Sequence, residues 1–471
     1  MNIFARPMNS SLEEPIVALA TAQGQAAIAL IRVSGKDCHT LIENIFRQKN
    51  GKPLSSIKRN RMYYGDLMHT QSNTMVDEVM LCAYQAPYSY TGQDMLEISC
   101  HGSLFIQQQI IQLLISLGVR HAQPGEFTMR AYLNGKMDLS RAEAVADLIA
   151  SENESQHKVA LHHLKGDYAS EILKLKDKLI EFASLIELEN DFSEEDVEFA
   201  DRTQLVKVLS ESKMHLNTLL QSFATGQAIK EGIPVVIAGK PNAGKSTLLN
   251  ALFGDERAIV SSIAGTTRDT IEEKIHLKGI QFRFIDTAGL RETNDEVEMI
   301  GVKRALQKID EAAVLLYLID VLGNDVEAIH QEMDEVRERL GKMDEIIFVL
   351  NKSDKANEKL LAHFENKTGV LCISAKEQWK TDELLEMIFD KNGLSAVNYN
   401  QSIVINARHY DALEKASNAL KHVLHSIEQK KSNDLIALDL RHALMHVGEI
   451  SGGITHEDVL SSIFSRFCIG K

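Results

Sequence analysis

At 471 residues the chain is long for one domain and suggests two or three, each able to bury its own core. Apolar residues make up 44% and the formal net charge is −15, which excludes a disordered chain and a generally basic nucleic-acid coat protein. The five cysteines (Cys38, Cys82, Cys100, Cys372, Cys468) contain no CxxC pair, so neither a disulfide framework nor a structural zinc site is expected, and a reducing compartment is.

The first residues lack the charged-then-apolar pattern of a signal segment. The apolar stretch from Ile16 to Val33 is interrupted by Thr21, Gln23, Gly24 and Gln25, so no membrane span is expected and the protein should be cytoplasmic. Ala26 to Val33 reads as a buried strand ending at a Ser34-Gly35 turn. Met80 to Tyr84 and Met95 to Cys100 read as further strands, and Leu104 to Leu117 as a helix. Beyond Pro124-Gly125 the pattern turns helical. Ser140 and Glu143 have capping-box spacing, with Ala142, Val145, Ala146 and Ile149 as the apolar face. Ile172, Leu175, Leu179, Phe182 and Ile186 continue at helical spacing, and helix is expected to about Lys230. The acidic run from Glu187 to Asp201 reads as a solvated helix end or loop.

Strands at Val235–Ala238, Phe282–Ile285, Val314–Ile319, Ile346–Leu350 and Val370–Ile373 alternate with helical patterns, the signature of a parallel sheet covered on both faces. Helix returns from Asp411 to Phe467, with Thr455 and Asp458 as a candidate cap. The fold class expected is therefore multidomain α/β, with the α/β segment inserted into a helical domain built from both flanks.

Gly239-Lys240-Pro241-Asn242-Ala243-Gly244-Lys245-Ser246 follows a strand and opens a helix, the setting in which GxxxxGK[ST] binds phosphate. Backbone amides from Asn242 to Thr247 would cradle the phosphates, Lys245 would meet the β and γ phosphates, and the Ser246 hydroxyl would ligate magnesium. Asn351-Lys352-Ser353-Asp354 ends a later strand. The Asp354 carboxylate accepts the two hydrogens that guanine offers and adenine lacks, and Lys352 covers the base plane. Ser374-Ala375-Lys376 would bring a backbone N–H to the guanine carbonyl. Asp286-Thr287-Ala288-Gly289 supplies a carboxylate near magnesium and an amide that senses the γ phosphate. Gly265-Thr266-Thr267-Arg268-Asp269 lies where a switch loop belongs, one of its threonines closing onto magnesium. Leu290 stands where Ras-like proteins carry a water-orienting glutamine, so that group must come from elsewhere or hydrolysis must be very slow. Asn242 is either a ligand for a monovalent cation that replaces an arginine finger or a partner in a local turn hydrogen bond.

These motifs alone fit equally an RNA-binding ribosome-assembly GTPase without covalent chemistry. Four other segments narrow the choice. They are Tyr90-Thr91-Gly92-Gln93-Asp94 with Leu96-Glu97, Pro124-Gly125-Glu126-Phe127-Thr128, Leu133-Asn134-Gly135-Lys136-Met137-Asp138-Leu139, and Phe467-Cys468-Ile469-Gly470-Lys471. With them the chain resembles the MnmE (TrmE) family from about Pro15 to Lys471. It departs in detail at Gln123, where arginine is common.

The resemblance implies a folate-binding-like α+β domain over 1–134 that dimerises. It implies a helical domain over 135–231 and 395–471, and a Ras-like GTPase domain over 232–394. It also implies a 5-formyl-tetrahydrofolate-type cofactor on Arg32, Glu97, Lys136 and Lys471. Potassium is implied on Asn242, Ser261, Ile263 and Thr266, and magnesium on Ser246 and Thr267. By the same resemblance Glu298 orients water and Cys468 is needed for modification. The implied activity is GTP hydrolysis coupled to modification of C5 of the tRNA wobble uridine. The chain would act as a homodimer, in a heterotetramer with the FAD-dependent partner MnmG.

Overall fold

The computed structural model describes residues 12–51, 61–70, 72–191, 202–254, 272–286, 313–340, 346–365, 367–391, 401–453 and 457–470. The chain divides into two compact units. One comprises residues 1–150, 160–214 and 412–471, and the other 151–159 and 215–411.

The first unit contains a seven-stranded sheet in the order β3-β4-β5-β6-β2-β1-β7. Its strands are β1 (Ile16–Leu19), β2 (Ile28–Ser34), β3 (Phe46–Gln48), β4 (Arg61–Met68), β5 (Met75–Tyr84), β6 (Met95–His101) and β7 (Arg120–His121). All pairings are antiparallel except β1 with β7. Burial alternates strictly along β5, as expected when one face of a sheet meets the core. Ala29, Ile31 and Val33 of β2 join Leu96 and Ile98 of β6 in that core, under the helix Leu104–Ser116. Arg32 and Glu97 alternate with these residues and so lie on the opposite face, directly across from each other in the strand register. There Tyr90 and Phe127 flank the Arg32 guanidinium at 5.3 and 5.7 Å from their ring centres.

Helices complete this unit. Asp167–Asp191 packs along Asn433–Ser451, while Phe464 and Phe467 close over Leu139 and Ala142. The helix Leu139–Ala150 departs from the expected capping box. Its cap is Asp138, whose Oδ1 accepts from the Arg141 amide at 3.0 Å and the Ser140 hydroxyl at 2.6 Å, and Ser140 is buried. Ile149 is 49% exposed, because the buried stripe runs through Leu139, Ala142 and Ala144 instead. The expected Thr455 cap and most of the Glu187–Asp201 run lie outside the described residues.

The second unit holds a six-stranded sheet ordered β13-β12-β11-β8-β10-β9. Its strands are β8 (Ile233–Gly239), β9 (Glu272–Leu277), β10 (Ile280–Asp286), β11 (Val314–Asp320), β12 (Ile346–Asn351) and β13 (Val370–Cys372). Alternate residues of β8 enter opposite cores: Val235 and Ile237 on one face, Val236 and Ala238 on the other. The sheet is not wholly parallel, since β9 pairs antiparallel with β10 through a two-residue hairpin at Lys278-Gly279. Both turn residues have positive φ, 50° and 81°, the geometry that matches strand twist. Lysine at the first turn position hides this hairpin in the sequence, where asparagine would have announced it.

Candidate functional site

The phosphate-loop sequence leaves the C-terminal end of β8 and enters the helix Lys245–Phe253. Its shape depends on Gly244, at φ 98°, where an added Cβ would stand 2.2 Å from Asn351 Nδ2. Asn242 adopts φ 64°, a left-handed conformation that asparagine tolerates, and its side chain is exposed. Ser246 and Thr247 are exposed in the first turn of the helix, at its positive end. Lys245 is buried, its ammonium donating to the Gly239 and Lys240 carbonyls at 3.0 Å each. A lysine folded back onto carbonyls of the phosphate loop is held beside the place its charge is needed. Asp286 ends β10 in register with Ile237, two residues before Gly239.

The second loop is joined to the first by a buried amide. Asn351 Nδ2 donates to the Ala243 carbonyl at 2.8 Å, and its Oδ1 accepts from the Ala375 amide at 3.0 Å. Asn351 thus brackets the phosphate loop to the Ser374-Ala375-Lys376 turn, and the Ala375 amide is committed to it. Asp354 is exposed, and its Oδ1 accepts from the Ser374 hydroxyl at 2.7 Å, which fixes the carboxylate. Lys352 has φ 67°, and its ammonium donates to Asp320 Oδ2 at 2.6 Å. Asp320, at the end of β11, was not singled out from the sequence. A carboxylate closing an apolar strand one place over from the phosphate loop is the signal that would have found it. Ser261, Ile263, Thr266, Thr267, Thr287, Ala288, Gly289 and Glu298 lie outside the described residues.

A second cluster lies in the first unit. Arg32 donates to Glu97 Oε1 through Nε at 3.0 Å and Nη2 at 2.7 Å, and through Nη1 to the Gly470 carbonyl at 3.3 Å. Tyr84 donates to the other Glu97 oxygen at 3.3 Å. The Tyr84 phenol is pushed up by its hydrogen bond to Cys82, by burial and by the Glu97 charge. Burial likewise raises the Tyr90 phenol, against a hydrogen bond from Thr128 and the Arg32 charge. The tail is seated here by backbone. Gly125 N donates to the Cys468 carbonyl at 3.3 Å, and Gly470, at φ 97°, passes so close to β1 that a Cβ would stand 2.3 Å from the Leu19 carbonyl. Cys468 itself is exposed. Lys136 is also exposed and donates to the Pro87 carbonyl at 2.9 Å. Lys471 lies outside the described residues.

The remaining motif residues stitch these segments together. Thr91 meets Ser34 at 2.7 Å, and its carbonyl accepts from Asn134 at 2.7 Å. Glu126 is buried and receives Arg120 at 2.5 Å, Arg130 at 2.9 Å and the Gln123 amide at 2.9 Å. Burial opposes ionisation of Glu126, but the Arg120 hydrogen bond, the Gln123 amide and the charge of Arg130 outweigh it and hold the carboxyl below its ordinary value. Arg130 also reaches Gln93 Oε1 at 3.0 Å.

A phosphate loop on a central strand, joined by a buried asparagine to the turn whose serine holds the Asp354 carboxylate, defines a P-loop nucleotide-binding protein of the α/β class. Residues 139–468 match the family described as the MnmE helical domain, and residues 15–136 match that described as GTP-binding protein TrmE N-terminus. The chain belongs to the MnmE (TrmE) family. It is 46% identical over 461 residues to the tRNA modification GTPase MnmE of Flavobacterium psychrophilum, covering 97% of this chain and 99% of that protein. Its identity to the protein of that name from Flavobacterium johnsoniae is 47% over 466 residues, covering 98% and 99%. For Bacteroides thetaiotaomicron it is 46% over 468 residues, covering 98% and 100%.

Proposed function

We propose that the protein is a potassium-dependent GTPase whose nucleotide cycle controls modification of C5 of the tRNA wobble uridine. In this reading it is a homodimer, works with the FAD-dependent partner MnmG in a heterotetramer, and draws a one-carbon unit from a 5-formyl-tetrahydrofolate-type cofactor. The domains run 1–134, 135–231 with 395–471, and 232–394. Full-length relatives named tRNA modification GTPases support the reading. The observation that carries it is the Arg32–Gly470 hydrogen bond at 3.3 Å, since the segment bearing Cys468 is thereby seated beside the Arg32–Glu97 pair.

The phosphate loop supports this reading: Gly244 leaves room for the Asn351 amide that holds the loop, and the Lys245 ammonium is held against the Gly239 and Lys240 carbonyls. Ser246 and Thr267 would hold a magnesium ion, which would neutralise phosphate charge. Asn242, Ser261, Ile263 and Thr266 would hold a potassium ion, which would supply the charge that an arginine finger supplies elsewhere. Asp354 reads guanine, Lys245 meets the β and γ oxygens, and Glu298 orients the water that displaces GDP from the γ phosphorus. At the second cluster the donor set fits a pterin and its acidic tail. Glu97 would offer carboxylate oxygens to ring N–H groups, and the exposed Lys136 would offer a cation to the acidic tail.

The test measures both chemistries in one chain. Hydrolysis should be much faster in potassium than in sodium at equal ionic strength, and Asn242→Ala should remove most of that difference. Cys468→Ser should leave GTP binding and potassium-stimulated hydrolysis intact while modified wobble uridine disappears from cellular tRNA. Equal rates in the two salts would overturn the potassium assignment, and fully modified tRNA in the Cys468→Ser strain would overturn the role of the thiol.

A further inference from the structure

His330 and His363 stand apart from every residue used above. His330 is carried by the helix Val326–Leu340 and His363 by the helix Glu358–Phe364. Both helices are anchored in one core, the first through Ile329, Met333 and Val336, the second through Leu360 and Phe364. The two imidazoles therefore project from a rigid base. Their Nε2 atoms are 3.2 Å apart with the ring planes at 83°. The Lys367 ammonium lies 2.9 Å from Nε2 of His330 and 3.0 Å from Nε2 of His363.

An ammonium has only hydrogens to give, so each Nε2 must accept from it, and both rings are neutral with the proton on Nδ1. The 3.2 Å approach of the two rings is thus no hydrogen bond between them. It brings two lone pairs together around a shared cation. Lys367 also lies over the Phe364 ring at 4.9 Å, and His330 packs against the same ring at 5.1 Å.

A tetrahedral zinc ion bonds imidazole nitrogens at about 2.0–2.1 Å, which places two such nitrogens roughly 3.3 Å apart. We propose that His330 and His363 form a two-imidazole site for a zinc-class divalent transition ion, which would displace the Lys367 ammonium now 2.9 and 3.0 Å from the two nitrogens. Among the described residues no group of three or more His, Cys, Asp or Glu could hold a metal ion, so the described protein ligands of this site are the two imidazoles. Asp334, one turn after His330, is tied to Arg337 at 3.1 Å. Hard ions such as magnesium and potassium, which prefer oxygen, do not compete for this site.

The experiment is calorimetric titration of Zn²⁺ into the full-length, untagged protein in excess magnesium, for wild type and for His330→Asn, His363→Asn and Lys367→Met. Each histidine substitution should weaken one zinc equivalent by about tenfold or more. Lys367→Met should tighten the same equivalent several-fold, because zinc no longer has to displace a cation. Thermal unfolding of each variant without metal serves as the folding control. Should a histidine variant not fold, the Co²⁺ absorption bands of Lys367→Met against wild type give the same comparison. Identical isotherms for wild type and the folded histidine variants would overturn the site. Weaker zinc binding in folded Lys367→Met would overturn the placeholder role of the lysine.

Discussion

In the phosphate loop the groups that face a ligand are main-chain amides, and glycine conformation together with one buried asparagine holds them in place. Around Arg32 the working groups are charged side chains, held by other charged side chains and by a distant stretch of backbone. The difference teaches where each site is vulnerable. A main-chain cradle is broken by adding a single carbon. A charge cluster is broken by removing one charge, because its partners remain buried without it.

The largest effect should come from the second kind of injury. Glu126→Gln leaves Arg130, which is fully buried, and Arg120 without their carboxylate. Breaking a buried ion pair costs about 3–5 kcal/mol, and denaturant unfolding of the first unit should show a loss of about 3 kcal/mol. The same carboxylate gives a pH signature. Its folded value is lowered from 4.5, so its contribution is complete above that value and is lost as pH falls through the folded value. The wild-type advantage over Glu126→Gln should therefore shrink only below about pH 4.5. A flat difference down to acid-induced unfolding would mean that the cluster is not held by that charge.

Next comes the cradle. Gly244→Ala forces a Cβ against Asn351 at a left-handed backbone position. GTP binding should fall by about a hundredfold, close to 3 kcal/mol, with global stability much less affected. Fluorescent-nucleotide titration measures this, and retained affinity would show that the loop opens more easily than its contacts suggest.

The smallest effect should be at Ser374→Ala. Its hydroxyl orients Asp354 without itself reading the base. Losing one hydrogen bond to a charged group should cost about 1.5 kcal/mol, or roughly tenfold in guanine-nucleotide affinity. Phosphate contacts should be unchanged, so binding of inorganic triphosphate should not move. A larger loss for triphosphate would place Ser374 in the cradle instead.

The two regions also differ in how they could be read in the sequence. The phosphate loop and Asp354 were legible because each residue carries its own chemistry within a few positions of a strand end. Arg32, Glu97 and Cys468 gained meaning only through family resemblance, since nothing local says that residues 97 and 470 meet residue 32. The roles of Glu126, Thr91 and Gln93 were not legible either: they appear as motif letters, and their work is done across the fold. Asn351 stands in the same motif as Asp354, and its buried amide also joins the phosphate loop to the Ser374-Ala375-Lys376 turn, a contact that the motif spacing does not disclose. Lysine at the first turn position hid the hairpin at Lys278-Gly279, and Ser140, an equally good cap residue two places on, hid the Asp138 cap.

The contact from Arg32 to Gly470 spans 438 residues. During synthesis at about 5–20 residues per second, the partner carbonyl follows the arginine by roughly 20 to 90 s. For that interval the sheet can form but its charged face is unfinished. Arg32 bridges the wait by giving Nε and Nη2 to Glu97, a partner only 65 residues away, and holding Nη1 for the tail. The segment bearing Cys468 is therefore made last, well after the strands it docks against.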